Sequence, residues 1–355
     1  MNTNDNNTLK VLKKERKPIL IYGNMNTATV IYKTLASNSI HPKAFVVDKF
    51  AYKKKQHFNG LEVLCFDDIK NLESYNIVIG FDNVEKTQAL LSLKKYLKFS
   101  VFHLISVGSL FNWSPSFIKR NLSKFQNLRN LFADEKSKKI LDALISAKQG
   151  NVSGINNLLS LSDSRQYFNE LTFEQDFRKE IFVDCGAFDG DSIQKFIAFA
   201  ENKYKKIIAF EPLDENYNEL RQNTKNIHSL KVIKKGTWNM ETELSFSANS
   251  SASSVSNEGS VKIKTTTVDK IVKNQRVTFI KMDVEGSEYE SLLGAQKTIE
   301  RNQPKLAICV YHKFDDLFRL PKLIQSFNVN YKYYLRHHSN RLSETVLYCF
   351  PIKKT

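Results

Sequence analysis

The sequence predicts an α/β protein whose larger C-terminal part is a doubly wound mixed sheet and whose N-terminal part is a smaller α/β unit. Three features predict it. Short apolar, β-branched runs alternate with helical or turn-rich segments through the C-terminal half, the pattern of parallel strands joined by crossovers. A glycine turn, Asp184 to Ser192, leaves one such run and opens a helix. A second strand-helix-strand series lies within the first 110 residues.

Residues 1–17 are polar, asparagine-rich and basic, and read as a flexible basic tail without the apolar stretch of a signal peptide. Apolar runs at 18–24, 44–48, 61–63 and 76–80, with a helical stretch from Thr27 to Ser37, predict a Rossmann-like domain over 18–110. Asp48 stands where a ribose-binding acid would lie. Only Gly23 marks the first turn, however, and Asn24, Met25, Asn26 and Thr27 stand where a pyrophosphate needs glycines. This unit resembles the small modules at the front of some bacterial sugar-modifying enzymes, which implies docking of a nucleotide sugar or a partner; a fold without a ligand is the alternative. Helical spacing of Ile140, Leu141, Leu144 and Ile145, and of Ile155, Leu158, Leu159 and Leu161, makes 111–178 a helical linker or cap.

The C-terminal domain, 179–355, opens with the run 180–183 and the turn Asp184-Cys185-Gly186-Ala187-Phe188-Asp189-Gly190-Asp191-Ser192. A dinucleotide fold would place Gly-x-Gly-x-x-Gly here to aim bare N–H groups at a pyrophosphate. This turn carries three carboxylates instead, which repel phosphate and attract a cation. The adenosine cofactor that carries positive charge is S-adenosylmethionine. The next run, 206–210, ends in Glu211-Pro212, about 20 residues on, where a carboxylate can accept both ribose hydroxyls; a helix N-terminal acid is the alternative. Further runs at 230–233, 277–280 and 305–310 complete the sheet. Ligands bind beyond the carboxyl ends of such strands, so the cofactor candidates are Asp184, Gly186, Ala187, Phe188, Asp189, Gly190, Ser192, Glu211, Pro212, Gly236, Thr237, Trp238 and Asp283.

Residues 182–192, the block Lys281-Met282-Asp283-Val284-Glu285-Gly286-Ser287-Glu288 after Thr267-Val268-Asp269, the step Tyr311-His312, and Glu344-Thr345-Val346-Leu347-Tyr348 resemble the FkbM-type S-adenosylmethionine-dependent methyltransferases. The likeness covers about 179–350. It implies a class I methyltransferase fold, methyl transfer to a hydroxyl oxygen, and acceptors among sugars of bacterial surface glycans (capsule, lipopolysaccharide or glycolipid) or polyketide-type natural products.

A sugar hydroxyl is little ionised at neutral pH, so a base or a metal should assist. Asp283, Glu285 and His312 follow adjacent strands and are the catalytic candidates. His312 is the preferred base because it titrates near neutrality, with Asp283 orienting it or the acceptor. The same three residues could hold magnesium or manganese, although no spacing demands a metal. Glu288, in the first turn of a helical stretch from Ser287 to Glu300, reads as structural. His337 and His338, beside Arg336 and Arg341, read as surface residues rather than acceptor ligands. Alternation on both sides of the serine-rich stretch 247–260 predicts a β-hairpin whose tip could cover the site.

The chain has 355 residues, enough for two full cores. No run reaches membrane-spanning length, so a cytoplasmic protein is expected. Cys65, Cys185, Cys309 and Cys349 are far apart and read as buried reduced thiols. The formal net charge is +16, spread over scattered lysines without a nucleic-acid motif. The expected partners are a nucleotide- or lipid-linked sugar or glycan, an anionic membrane surface and a second copy of the chain, not nucleic acid. A nucleic-acid or natural-product methyltransferase, or a noncatalytic nucleotide-sugar-binding scaffold, are the alternatives.

Overall fold

The computed structural model describes residues 3–81, 100–102, 113, 115–149, 152–174, 176–247, 254–255, 261–339 and 342–352. The chain divides into two compact units, one formed by Met1–Ser123, Ile140–Ser162 and Ser339–Ser343, the other by Lys124–Lys139, Asp163–His338 and Glu344–Thr355. The expected linker over 111–178 is therefore not a separate body. Its helices, Pro115–Arg120, Leu122–Leu131, Glu135–Lys148 and Val152–Leu161, are shared out between the units, and 163–178 form no helix. The expected domain end at 110, Arg341 and most of the serine-rich tip lie outside the described residues.

In the first unit the strands β1 (Ile19–Tyr22), β2 (Ala44–Val47), β3 (His57–Phe58), β4 (Leu61–Cys65), β5 (Asn76–Ile79) and β6 (Ser100–Phe102) form one sheet in the order β3-β4-β2-β1-β5-β6. All pairs are parallel except β3 with β4. Every residue of β1, β2 and β5 is buried, as expected of parallel strands covered on both faces. The expected flexible tail is corrected: Thr3–Lys14 is a helix, and its Leu9 and Leu12 join Ile31, Leu35 and Phe45 in one core cluster. Two apolar residues three apart supply that contact, too little to stand out from a polar composition. Gly23 serves strand packing, since a Cβ there would lie 2.5 Å from the Gly80 carbonyl oxygen. Asp48 accepts a hydrogen bond from the Tyr22 hydroxyl, so the acid expected to meet a ribose has an internal partner.

The second unit contains β7 (Ile181–Cys185), β8 (Lys206–Phe210), β9 (Leu230–Ile233), β10 (Gly236–Thr237), β11 (Glu243–Ser247), β12 (Ser254–Val255), β13 (Val261–Thr266), β14 (Phe279–Met282), β15 (Lys305–Cys309), β16 (Tyr331–His337) and β17 (Thr345–Pro351). Seven of them form a sheet in the order β16-β17-β15-β14-β7-β8-β9. The five from β15 to β9 run parallel, and β17 lies antiparallel to both neighbours. The chain steps from β7 outward through β8 and β9, then returns to the other side of β7 at β14, so the topological switch point lies between β7 and β14. Phe168, Phe182, Phe196 and Phe279 meet edge-to-face or tilted in the core beside it.

The expected hairpin is β11 paired antiparallel with β13, within a small sheet that also holds β10 and β12. The expected helix over 287–300 is two helices, Glu288–Leu293 and Gln296–Asn302. Asp269 accepts hydrogen bonds from the N–H groups of Lys297 and Thr298, so the Thr267-Val268-Asp269 step anchors the start of the second helix. All four cysteines are free and buried. Among the described residues no helix is long and apolar enough to cross a membrane.

Candidate active site

Beyond the carboxyl ends of β7, β8 and β14 the second unit encloses a cavity of about 880 Å³. Its position is the one the switch point dictates, and its two ends differ in chemistry.

One end is built by the glycine turn. Gly186 has φ 84°, and a Cβ there would lie 1.9 Å from the Asp283 carbonyl oxygen, so only glycine lets the turn approach β14. Phe188 is also left-handed, at φ 49°, a conformation that costs a side chain about 1 kcal/mol or more. Its N–H donates to Glu211 Oε2 at 3.0 Å, which holds the turn in that shape. Glu211 Oε1 accepts from the Leu213 N–H at 3.0 Å and from Asn216 at 3.3 Å. Burial pushes the Glu211 carboxyl up, opposed by these donors. Two carboxylate oxygens offer about four acceptor directions, so Glu211 keeps capacity toward the cavity it lines. Gly186, Phe188, Asp189, Ser192, Pro212, Gly236, Thr237, Trp238 and Asp283 line it with Glu211, as the strand-end argument expects.

Asp184, Ala187 and Gly190 are corrections, for none of them lines the cavity. Asp184 is fully buried, with Oδ1 2.9 Å from Lys281 Nζ and Oδ2 accepting from the Ser192 hydroxyl at 2.5 Å. Burial pushes its carboxyl up, and Lys281 and Ser192 oppose that shift. Asp184 is thus an internal strut rather than a ligand for a cofactor cation. Ala187 is buried in the aromatic core, and Gly190 precedes the helix Asp191–Phe199 in left-handed conformation. Lys281, for which no role was expected, also donates to the Gly186 carbonyl at 2.7 Å and lies 5.3 Å from the Tyr167 ring centroid.

The other end is rich in oxygen. Asp283 Oδ2 accepts from the Tyr167 hydroxyl at 2.8 Å, and Oδ1 lies 3.4 Å from the Tyr311 hydroxyl. Tyr311 also donates to Glu344 Oε2 at 3.1 Å, which accepts from Gln166 at 2.8 Å. Burial would push the Asp283 carboxyl up, but Lys281, His312 and Tyr167 outweigh it and hold it below its ordinary value. Glu285 is pushed up to about 7, first by burial and then by the Asp283, Glu288 and Glu344 carboxylates, against the pull of His312.

His312 lies behind this wall rather than on it. Its Nδ1 is 2.7 Å from Glu288 Oε1, and its Nε2 lies 3.4 Å from Asp283 and 3.5 Å from Glu285. Burial would lower its pKa, but Glu288, Asp283 and Glu285 raise it to about 10. In this arrangement the ring is an imidazolium at neutral pH and has no free site for a proton, which corrects its assignment as the base. Asp283, Glu285 and His312 do come together, with one donor atom of each within 4.8 Å of the others, a set that could hold a metal ion. Glu288 is structural as expected, fully buried and oriented on both His312 and the Val284 N–H.

Sequence reasoning missed Gln166 and Tyr167, which come from a polar stretch without periodicity. It also misplaced His337 and His338, which are 0% and 8% exposed. His338 Nε2 lies 2.8 Å from the Tyr348 hydroxyl, which accepts from the Tyr167 N–H at 2.9 Å.

Residues 184–339 match the family model of the methyltransferase FkbM domain. Among solved structures the chain is similar to the methyltransferase FkbM from Methylobacillus flagellatus KT, with 22% identity, coverage of 98% of this chain and 94% of that one, and a TM-score of 0.76. At that identity the likeness speaks for the fold. An rRNA methylase from Streptococcus thermophilus (17% identity, 50% and 89% coverage, TM-score 0.34) and a fibrillarin from Aeropyrum pernix with natively bound S-adenosyl-L-methionine (10% identity, 49% and 67% coverage, TM-score 0.31) are too slight a likeness to carry argument. No curated protein matches the chain. With the strand order, the glycine turn and the acidic block assembled round one cavity, residues 184–339 are a methyltransferase domain of FkbM type, with the fold of the S-adenosylmethionine-dependent methyltransferases.

Proposed function

We propose that this domain transfers a methyl group to a hydroxyl oxygen of a sugar during synthesis of a bacterial surface glycan. The observation that carries the reading is the asymmetry of the cavity. Its turn end offers Glu211 for a ribose and a close glycine approach, and its far end offers Asp283, Glu285, Tyr311, Glu344 and Gln166. A polyhydroxylated acceptor presents many O–H donors, and carboxylates are the acceptors that match them.

S-adenosylmethionine supplies an electrophilic methyl on a sulfonium when it is bound. The chain's own residues do the rest. Glu211 would accept the ribose hydroxyls while keeping Phe188 in place, and Trp238 and Pro212 would flank the adenosine. Asp283, held by the Tyr167 hydroxyl, would orient the reacting hydroxyl by accepting from a neighbouring one. Glu285, whose carboxylate is 40% exposed, stands where it could take the proton, and His312 offsets the charge of the acids. The proposed location is the cytoplasm, with a nucleotide- or lipid-linked sugar as acceptor, the basic surface meeting an anionic membrane face, and a second copy as a further partner.

The test is incubation with methyl-labelled S-adenosylmethionine and parallel pools of nucleotide sugars, lipid-linked sugars, polysaccharide, polyol natural products and RNA. Label appearing as an alkali-stable ether on a saccharide supports the reading. Label on RNA or on a natural product alone, or cofactor binding with no transfer to any pool, overturns it.

A further inference from the structure

The two sides of the His312 ring are unequal. Nδ1 meets Glu288 Oε1 at 2.7 Å, whereas Nε2 makes no hydrogen bond among the described residues, although the side chain is only 8% exposed. The acceptors nearest to Nε2 are Asp283 Oδ1 at 3.4 Å and Glu285 Oε2 at 3.5 Å. A charge-assisted N–H···O bond closes to about 2.8 Å, as Glu288 has done on the opposite side. Asp283 and Glu285 therefore stand off a buried nitrogen that they are close enough to reach.

The separation has a chemical meaning. Donor atoms about 2.1 Å from a common ion lie about 3.0 Å apart at a right angle and about 3.4 Å apart at the tetrahedral angle. The distances to Nε2, those of loose ion pairs in this structure, are also those of ligands round a common ion. Glu288, buried behind the ring, holds the Nδ1 proton, and an ion entering the gap would displace the Nε2 proton and take that lone pair, the carboxylate-histidine arrangement that orients metal-bound imidazoles. Glu285 is held at φ 51°, a strained conformation for a side-chain-bearing residue, and strain of this kind gathers at ligand clamps. Lys281, the nearby cation, is already paired with Asp184.

We infer that Asp283, Glu285 and His312 bind a divalent cation on the cavity wall, and that this cation ligates the acceptor hydroxyl. Two carboxylates with one imidazole form an oxygen-rich, borderline set suited to manganese(II) or magnesium. Its role, though not the site itself, rests on the methyltransferase reading. The ion lowers the pKa of the hydroxyl it holds. The proton passes to the Glu285 oxygen that does not ligate. The acceptor oxygen forms its bond to the methyl carbon as the carbon-sulfur bond breaks, and sulfur keeps the electron pair.

The test titrates manganese(II) chloride alone into the purified full chain and follows the loss of the free-ion electron paramagnetic resonance signal, with S-adenosylhomocysteine affinity measured by calorimetry on the same samples. One ion per chain in the micromolar range is expected, weakened at least tenfold in His312→Gln and in Glu285→Gln, and about 10- to 100-fold in Glu288→Gln. Retained S-adenosylhomocysteine affinity reports that each variant is folded. No signal loss for the wild type at millimolar manganese overturns the inference, as does equal binding by both ligand variants. Cofactor binding without manganese binding removes the ion and leaves the methyltransferase reading standing; manganese binding without methyl transfer to any acceptor keeps the site and removes its role.

Discussion

Replacing Lys281 with methionine separates an internal strut from a cofactor ligand at Asp184. The Lys281 and Asp184 side chains are 4% and 0% exposed, with the ammonium 2.9 Å from the carboxylate. Removing one member of a buried pair strands the other charge and costs about 3–5 kcal/mol. Lys281→Met also leaves the Gly186 carbonyl without its 2.7 Å donor, on the order of 1 kcal/mol more, though losses at touching groups do not add fully. The expected destabilisation is about 3 kcal/mol or more. Asp184→Asn in the Lys281→Met background removes the stranded carboxylate and should recover at least ~1.5 kcal/mol. Urea unfolding followed by Trp238 fluorescence in a Trp113→Phe background reads the second unit, because the other tryptophan lies in the first. A loss below about 1 kcal/mol for Lys281→Met, or strict additivity in the double variant, would refute the strut and return Asp184 to the cofactor.

Glu211→Gln should weaken S-adenosylhomocysteine binding about tenfold or more, the lower end of what a charged acceptor contributes, with little loss of stability; calorimetry giving unchanged affinity removes Glu211 from the ribose site. Gly186→Ala should abolish cofactor binding and lower the melting temperature of the second unit, because its Cβ would lie 1.9 Å from backbone at Asp283; a variant that binds normally shows that the turn and β14 can separate. His338 is held neutral, its pKa lowered to about 4 mainly by burial. The unfolded chain takes up that proton below about 6.5, so this contribution is present above pH 6.5 and is lost as pH falls toward 4, on the order of 3 kcal/mol. Urea unfolding at pH 7.5 and 4.5 should show a smaller difference for His338→Gln than for the wild type, and equal differences would exclude His338 as the source.

The sheet of the second unit was legible because each strand is a short apolar run ending in a polar or glycine turn, and the cavity lies where strand ends alone would put it. Glu211, Phe188 and Asp283 came from that rule. What the rule cannot say is whether a strand-end acid turns outward to the cavity or inward to a lysine on the next strand. Asp184, near the end of β7, and Asp283, just past β14, look alike in sequence, yet Lys281 draws the first inward, while the Tyr167 hydroxyl holds the second at the cavity. His312 failed as a base for a related reason. Its charge state is set by Glu288, 24 residues away, whose carboxylate looked like an ordinary helix N-terminal acid. The apolar pair Leu9 and Leu12 of the N-terminal helix was hidden by a composition that reads as a tail.

The placement of Asp283 depends on residues that carry no recognisable motif. Its Oδ2 is held by the Tyr167 hydroxyl, and the Tyr167 backbone N–H is held by the Tyr348 hydroxyl. That hydroxyl also accepts from Asn169 at 3.2 Å, leaving its own proton for His338 Nε2 at 2.8 Å, while His338 Nδ1 lies 2.6 Å from the Asp163 carbonyl oxygen. The directions agree only if His338 is neutral, with its proton on Nδ1 donated to the carbonyl and Nε2 accepting. Tyr167 itself has φ 66°, so its backbone would relax without this clamp. A segment with no regular secondary structure is thus fixed at three points by buried groups from β17, the end of β16 and the exit of β14. Satisfied networks of this kind specify a single geometry. The acid nearest the proposed chemistry is therefore positioned from behind by a histidine-tyrosine relay, and a change there would reach the site without touching the cavity.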